Sequence, residues 1–96
     1  MTPDMTQLTD DLPTVSITVR FFAAAAAAAG RETQSLALPP GATVSDAVCE
    51  LSGQSDKMAL VLRKCSYLCD GVAVRNPGTV LHPGQTLDVL PPFAGG

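Results

Sequence analysis

The sequence predicts an α+β fold in which one mixed sheet is covered by helices on one face. Alternating apolar residues near both ends predict strands, and helical periodicity between them predicts helices. Strands and helices in this order build one sheet with its helices segregated to one side. The 96 residues make one small domain. We expect residues 14–90 to fold, with a disordered tail at 1–13 and an extended tail at 91–96.

The first half of the domain predicts two strands joined by a short helix. Val15–Phe21 alternates strictly, so its odd-numbered residues share one buried face. Seven alanines at 23–29 predict a helix that Gly30 ends. Because this run is too short to be stable alone, it must pack on the sheet. Residues 32–38 predict a second strand paired with the first, ended by prolines and a glycine.

The second half predicts two more helices, a hairpin and a last strand. Thr43 and Asp46 resemble a capping box, and the apolar stripe behind them predicts an amphipathic helix to about residue 51 or 52. Helical spacing predicts a second helix at 57–64. Asp70-Gly71 is typical of a type I′ turn between strands at 67–69 and 72–74. Alternation over Thr86–Leu90 predicts the last strand.

Charge and hydropathy exclude several function classes. Nine acidic and six basic residues give a net charge of −3, which argues against nucleic acid as a main partner. Since no run of about 18 apolar residues exists, no membrane span is expected. Residues 1–13 lack the positive start and apolar core of a secretory signal, so we expect a cytoplasmic protein.

The sequence contains no pattern that predicts a metal site or a catalytic cluster. Cys65 and Cys69 do not have the spacing of a zinc half-site, and we expect all three cysteines, including Cys49, to be small buried hydrophobes. His82 stands in a turn, where a surface histidine is expected rather than a base for a cysteine nucleophile. We therefore expect neither a bound cofactor nor a metal.

The C-terminus is the most informative segment. Two prolines end the last strand and favour an extended path. The last three residues, one alanine and two glycines, have almost no side-chain volume. Such a tail suits insertion into a narrow channel of another protein, and its unhindered terminal carboxylate can be chemically activated. A frayed chain end is the alternative. The predicted tail consists of Pro91, Pro92, Phe93, Ala94, Gly95 and the reactive Gly96.

Three large apolar side chains predict a docking surface near this tail. Phe22 and Leu90 fall on the parity opposite the core faces of their strands, and Phe93 lies in the tail itself. Exposed apolar side chains often mark an interface. A sheet covered on both faces would instead bury Phe22 and Leu90.

Four segments together resemble one family. They are VRFFA at residues 19–23 before the alanine helix, LPPGATV at 38–44, the Asp70-Gly71 turn, and PGQTLDVLPPFAGG at 83–96. The chain resembles the MoaD-type small, sulfur-carrying subunit of molybdopterin synthase, within the MoaD/ThiS group of ubiquitin-like proteins. The Pro-Pro-x-x-Gly-Gly ending is the most specific feature. Two departures are an uncharged first helix and Gln85, where the family usually has an acidic residue.

The resemblance implies a β-grasp fold and a carrier mechanism. An E1-like adenylyltransferase would use ATP to adenylate Gly96, and sulfur would then replace the adenylate to give a thiocarboxylate. The tail would enter the large synthase subunit, in a heterotetramer, and donate sulfur to a cyclic pyranopterin precursor. Three alternatives stay open: a related carrier for thiazole, cysteine or tRNA thiolation, a ubiquitin-like modifier of lysines, and an interaction module with an inert tail.

Overall fold

A computed structural model describes residues 14–92, and these residues form the predicted α+β fold. The predicted N-terminal tail at 1–13 and the residues Phe93, Ala94, Gly95 and Gly96 lie outside the described range. The mixed sheet has five strands in the order β2-β1-β5-β3-β4. The elements are β1 Val15–Phe21, α1 Ala24–Ala29, β2 Thr33–Leu38, α2 Val44–Ser52, α3 Asp56–Leu62, β3 Ser66–Cys69, β4 Val72–Ala73 and β5 Thr86–Leu90.

Strand β1 is an internal strand of the sheet, and its alternating side chains separate the core from solvent. It pairs antiparallel with β2 and parallel with β5. Its odd-numbered residues are all buried and its even-numbered residues are all exposed. Leu87 and Val89 of β5 lie on the same inner face and are fully buried. The apolar alternation of the two strands therefore sets which face of the sheet the helices cover.

Helix α1 is an alanine helix that packs closely against β1 and α3. Ala25 is fully buried, and Gly30 ends the helix in the left-handed conformation with φ 75°. This end matches the prediction, since glycine adopts positive φ without steric cost. Ala23 begins the helix at φ 51° and ψ −124°, a conformation that a residue with a Cβ adopts only under strain.

Helices α2 and α3 complete the cover over the core. The capping box of α2 is confirmed: the Asp46 N–H donates to Thr43 Oγ1 at 3.2 Å, and Asp46 Oδ2 accepts from the Thr43 N–H at 2.9 Å. Helix α3 begins at Asp56 after an N-cap Ser55, and it ends at Leu62 rather than at residue 64. The predicted end was wrong because the chain tightens there into i→i−3 hydrogen bonds from residues 64 and 65.

The β3–β4 hairpin turns at Asp70 and Gly71, as predicted. Their φ values of 49° and 83° are both positive, as a type I′ turn requires. Strand β4 spans two residues rather than three, although the Val74 N–H still donates to the Tyr67 carbonyl at 2.9 Å. β3 then pairs antiparallel with β5, which places β5 between β1 and β3.

The cysteines are not the buried hydrophobes that the sequence predicted. Cys49 is exposed, and Cys65 and Cys69 are partly exposed. Cys49 lies off the apolar stripe of α2, whose buried residues are Val44, Ala47 and Leu51, so its thiol faces solvent. Within residues 14–92, no cluster of histidine, cysteine or carboxylate side chains could hold a metal ion. In that same range, every helix is too short or too polar to cross a bilayer.

Candidate docking face and carrier tail

The ends of β1 and β5 converge where the C-terminal tail begins. The two strands run parallel, with Phe21 opposite Val89, and the Phe22 N–H donates to the Val89 carbonyl at 3.2 Å. Pro91 directly follows β5 and is buried, whereas Pro92 is exposed. The fold therefore holds the chain through Pro91, and the tail leaves the domain at Pro92, next to the end of β1.

The sheet face opposite the helices, here called the open face, presents polar and apolar side chains around this exit. Along β1 it shows Ser16, Thr18 and Arg20, all exposed. Phe22 follows and is 39% exposed, while Leu90 is half-buried. Continuing the β1–β5 register by one residue puts Phe22 beside Leu90. Phe22 and Leu90 thus lie on the side that their parity predicted, and their role in docking stays a prediction.

An ion pair on the open face was not predicted from the sequence. Arg20 Nε lies 2.7 Å from Asp88 Oδ1, and Arg20 Nη2 lies 2.9 Å from Asp88 Oδ2. The Asp88 side chain is 7% exposed and that of Arg20 is 50% exposed. Hydrogen bonding to Asp88 raises the pKa of Arg20, so the guanidinium stays charged at any physiological pH. Arg20 Cζ also lies 5.6 Å from the centroid of the Phe22 ring, within cation–π range.

Only the strand pairing reveals this contact. Arg20 and Asp88 are 68 residues apart in the chain, yet they are direct neighbours in the parallel β1–β5 register. The alternation already placed both side chains on the outward parity of their strands. The missing signal was that β1 and β5 are adjacent and parallel, which alternation alone does not show.

A shallow cavity of about 400 Å³ adjoins the same corner of the domain. It lies between the end of β1, the start of α1 and the start of β2. Its lining includes Arg20, Phe22, Ala26 and Glu32. The cavity opens widely to solvent, so it can admit a side chain of a partner protein but cannot enclose a small substrate.

A hydrogen-bond network ties the hairpin turn to the start of β5 and explains the departure at Gln85. The Gln85 Nε2 donates to Asp70 Oδ2 at 3.3 Å, and the Thr86 N–H donates to Asp70 Oδ1 at 2.8 Å. Gln85 Oε1 accepts from the His82 N–H at 2.8 Å. An amide can donate to Asp70 while accepting from His82, which a carboxylate cannot do. His82 itself is exposed in the turn, as predicted.

Solved structures with the same fold are known from archaea and bacteria. SAMP1 from Haloferax volcanii is 28% identical, with a TM-score of 0.75 over 84% of this chain and 99% of that chain. The H. volcanii HVO 2177 protein is 27% identical, with a TM-score of 0.76 over 86% of this chain and 88% of that chain. A search of curated protein sequences gives no significant match.

A bacterial structure has the same fold at lower identity. A chain from the complex of subunits 1 and 2 of the molybdopterin-converting factor of Helicobacter pylori is 21% identical, with a TM-score of 0.64. The alignment covers 85% of this chain and 100% of that chain. At this identity the likeness supports the shared fold, and it leaves the partner of the present chain undetermined.

The fold and the tail define a β-grasp, ubiquitin-like protein, as the sequence resemblance implied. A model of the ThiS family matches residues 19–96, which is most of the chain and extends to its last residue. The chain belongs to the ThiS family. It is therefore a β-grasp protein of the sulfur-carrier and small-modifier group.

Proposed function

We propose that this protein is a sulfur carrier that serves as the small subunit of molybdopterin synthase, with Gly96 as its reactive residue. The observation that carries the proposal is the Pro-Pro-x-x-Gly-Gly ending, which lies within the family match and begins at the edge of the open face. Pro91 is buried there and Pro92 is exposed, so the described part of the ending reaches the surface of the domain. A terminal glycine pair that did not follow a strand and two prolines would be weaker support.

The proposed chemistry begins with activation of a poor electrophile. One oxygen of the Gly96 carboxylate attacks the α-phosphorus of ATP in an E1-like adenylyltransferase, which forms an acyl-adenylate and releases pyrophosphate. A reduced sulfur nucleophile, hydrogen sulfide in the simplest case, adds to the carbonyl carbon and expels AMP. The product is a thiocarboxylate on Gly96. Glycine suits this step because its carbonyl carbon is open to attack.

In the second half of the cycle, the tail with its Gly96 thiocarboxylate enters the large subunit of the synthase. The thiocarboxylate sulfur attacks a side-chain carbon of the cyclic pyranopterin precursor and displaces an oxygen leaving group from it, which forms a thioester. Water then cleaves the acyl–sulfur bond, which leaves the sulfur on the pterin as a thiolate and restores the Gly96 carboxylate. Two transfers supply the two sulfurs of the dithiolene, so the carrier is recharged and reused. In this proposal the general acids and bases belong to the partners.

Phe22 and Leu90 are proposed to dock on the partner while residues 91–96 thread into its active site. Both side chains lie beside the tail exit, so one partner surface can cover them and receive the tail at the same time. The proposed assembly is a heterotetramer of two small and two large subunits. ATP is used by the activating enzyme and is not expected to bind this chain.

A second candidate function is protein modification. It is favoured by the likeness to SAMP1, the small archaeal modifier protein 1 of H. volcanii, to which this chain is 28% identical. In that reaction the ε-amine of a target lysine attacks the Gly96 acyl-adenylate, expels AMP and forms an isopeptide bond. Both candidates share the adenylation step, and they differ in the nucleophile that follows it.

The test is a pull-down from the native host with an N-terminal tag that leaves Gly96 free. A second bait carries one alanine after Gly96, and a Gly53→Ala bait is the matched control, because Gly53 has a helical φ of −70° and room for a Cβ. Recovery of the large synthase subunit by the free-ended bait supports the proposal. Recovery of enzymes that form thiazole or cysteine, or that thiolate tRNA, would keep the carrier mechanism and assign it to another pathway. Lysine-linked conjugates would support the modifier.

A further inference from the structure

The Arg20–Asp88 pair presents unused hydrogen-bond donors on the open face. A guanidinium has five N–H donors, and Asp88 occupies one on Nε and one on Nη2. The other three have no acceptor among residues 14–92. Since half of the Arg20 side chain is exposed, these donors are accessible to another molecule. Asp88 orients the fork through two hydrogen bonds of good length.

The charge of this donor site is neutralised from behind. Asp88 is almost completely buried beneath Arg20. Because the carboxylate and the guanidinium have opposite charges, the pair has no net charge. A second carboxylate that approached Arg20 would also experience the negative charge of Asp88. Covering a neutral pair costs less desolvation than covering a lone guanidinium. These two conditions favour a neutral acceptor, and the commonest neutral acceptor on a protein surface is a main-chain carbonyl oxygen.

The Arg20–Asp88 pair lies so close to the start of the tail that a partner protein holding the tail would cover it. Arg20 and Asp88 are register neighbours, and Asp88 is two residues before Leu90, after which the tail begins. Arg20 Cζ lies over the Phe22 ring, 5.6 Å from its centroid. A protein surface that receives the tail and covers Phe22 must therefore also cover Arg20.

We propose that Arg20, fixed by Asp88, is a specificity contact that donates to a main-chain carbonyl oxygen of an exposed segment of the tail-binding partner. The inference rests on the proposed function, which supplies a partner that holds the tail. It extends that function by assigning to the open face a polar contact that the apolar residues Phe22 and Leu90 do not provide. Asp88 is the positioning residue, since it orients Arg20 and touches no partner atom in this arrangement.

The experiment measures the affinity of the full chain for the large synthase subunit of the same host. Arg20→Lys keeps the charge and loses the planar fork. A double variant, Arg20→Met with Asp88→Leu, replaces the pair by apolar side chains, a change that often preserves stability. Thr18→Val is the control, because Thr18 is exposed on the same face of β1. Thermal melts establish that each variant is folded.

We expect Arg20→Lys and the double variant each to weaken binding about tenfold, with Thr18→Val unchanged. Loss in the double variant at an unchanged melting temperature separates a binding role from a structural one. A neutral acceptor also predicts that wild-type affinity changes little between low and high salt. If Arg20→Lys binds as tightly as the wild-type chain, this inference is overturned and the proposed function stands. A steep loss of affinity of the wild-type chain with rising salt has the same meaning. Failure of the wild-type chain to bind overturns the proposed function, and this inference with it.

Discussion

The amide nitrogen of Phe22 donates to the carbonyl oxygen of Val89, and this bond joins the segment after β1 to the last strand just before the tail. It continues the parallel β1–β5 ladder by one step beyond Phe21. An exposed aromatic side chain and the base of the tail are thereby held together by the backbone. The proposed carrier role depends on this arrangement, because a partner can then contact the domain and receive the tail at one place.

Backbone strain next to Phe22 gives a prediction about Ala23. Its φ of 51° and ψ of −124° are typical of glycine and cost a residue with a Cβ about 1–2 kcal/mol. We therefore expect Ala23→Gly to raise the free energy of unfolding by about 1 kcal/mol, after the greater chain entropy of glycine is subtracted. Urea unfolding measures this change.

Ala27→Gly is the matched control, since Ala27 is an exposed residue inside the same helix. At Ala27 there is no backbone strain to relieve, so glycine contributes only its low helix propensity. The free energy of unfolding should therefore fall by about 1 kcal/mol. Equal destabilisation by both substitutions would show that the backbone at Ala23 is not strained.

Close packing of α1 gives a second prediction. Ala25 is fully buried between the helix and the core, so a larger side chain has no space there. We expect Ala25→Leu to destabilise the domain by about 1–3 kcal/mol. Ala27→Leu adds the same side chain on the exposed face and should change stability by less than about 0.5 kcal/mol. Thermal melts of the two variants compare them, and similar melting temperatures would contradict the packing described for α1.

The Gln85–Asp70 contact predicts that a carboxylate is unfavourable at position 85 in this chain. In Gln85→Glu, two carboxylates would face each other across the 3.3 Å contact, and the donor to Asp70 would be lost. We expect a loss of about 1 kcal/mol at neutral pH. The loss should shrink at acidic pH as the introduced Glu carboxyl becomes protonated. Gln54→Glu, at an exposed position, is the control; equal effects of the two variants would argue against the network.

Tyr67 predicts how stability depends on pH at the alkaline end. Its hydroxyl donates to the Leu62 carbonyl at 2.8 Å, and burial, with a smaller contribution from Cys65, raises its pKa to about 12. Because the pKa is higher in the folded state than the ordinary value near 10, the neutral phenol stabilises the fold below pH 10. That stabilisation is lost as the pH rises from about 10 through about 12.

The measurement for Tyr67 is an ultraviolet titration of phenolate absorbance, which is unambiguous because the chain contains one tyrosine. We expect a midpoint well above 10 in the folded protein and near 10 in denaturant. Tyr67→Phe should lower the free energy of unfolding by about 1 kcal/mol at neutral pH and should lack the extra loss above pH 10. A folded-state midpoint near 10 would contradict the buried, hydrogen-bonded hydroxyl.

The sequence predicted most of the fold because its strongest signals are local. The alternation of β1, the capping box at Thr43 and the Asp70-Gly71 turn each depend on neighbouring residues, and each is confirmed. The end of α3 was wrong because hydrogen bonds of the next turn override helical spacing. The Arg20–Asp88 pair could not be predicted, since it requires knowledge that two distant strands are parallel neighbours.

The central claim is that sulfur is carried on the carboxylate of Gly96, and intact mass spectrometry tests it most directly. The chain is purified from its native host with an N-terminal tag, under conditions that keep thiocarboxylates intact. We predict a species in which one oxygen is replaced by sulfur, located in the C-terminal peptide and lost when an alanine follows Gly96. Sulfur added to Cys49, Cys65 or Cys69, without replacement of oxygen, would contradict the claim, as would an unmodified C-terminus in cells that make molybdopterin.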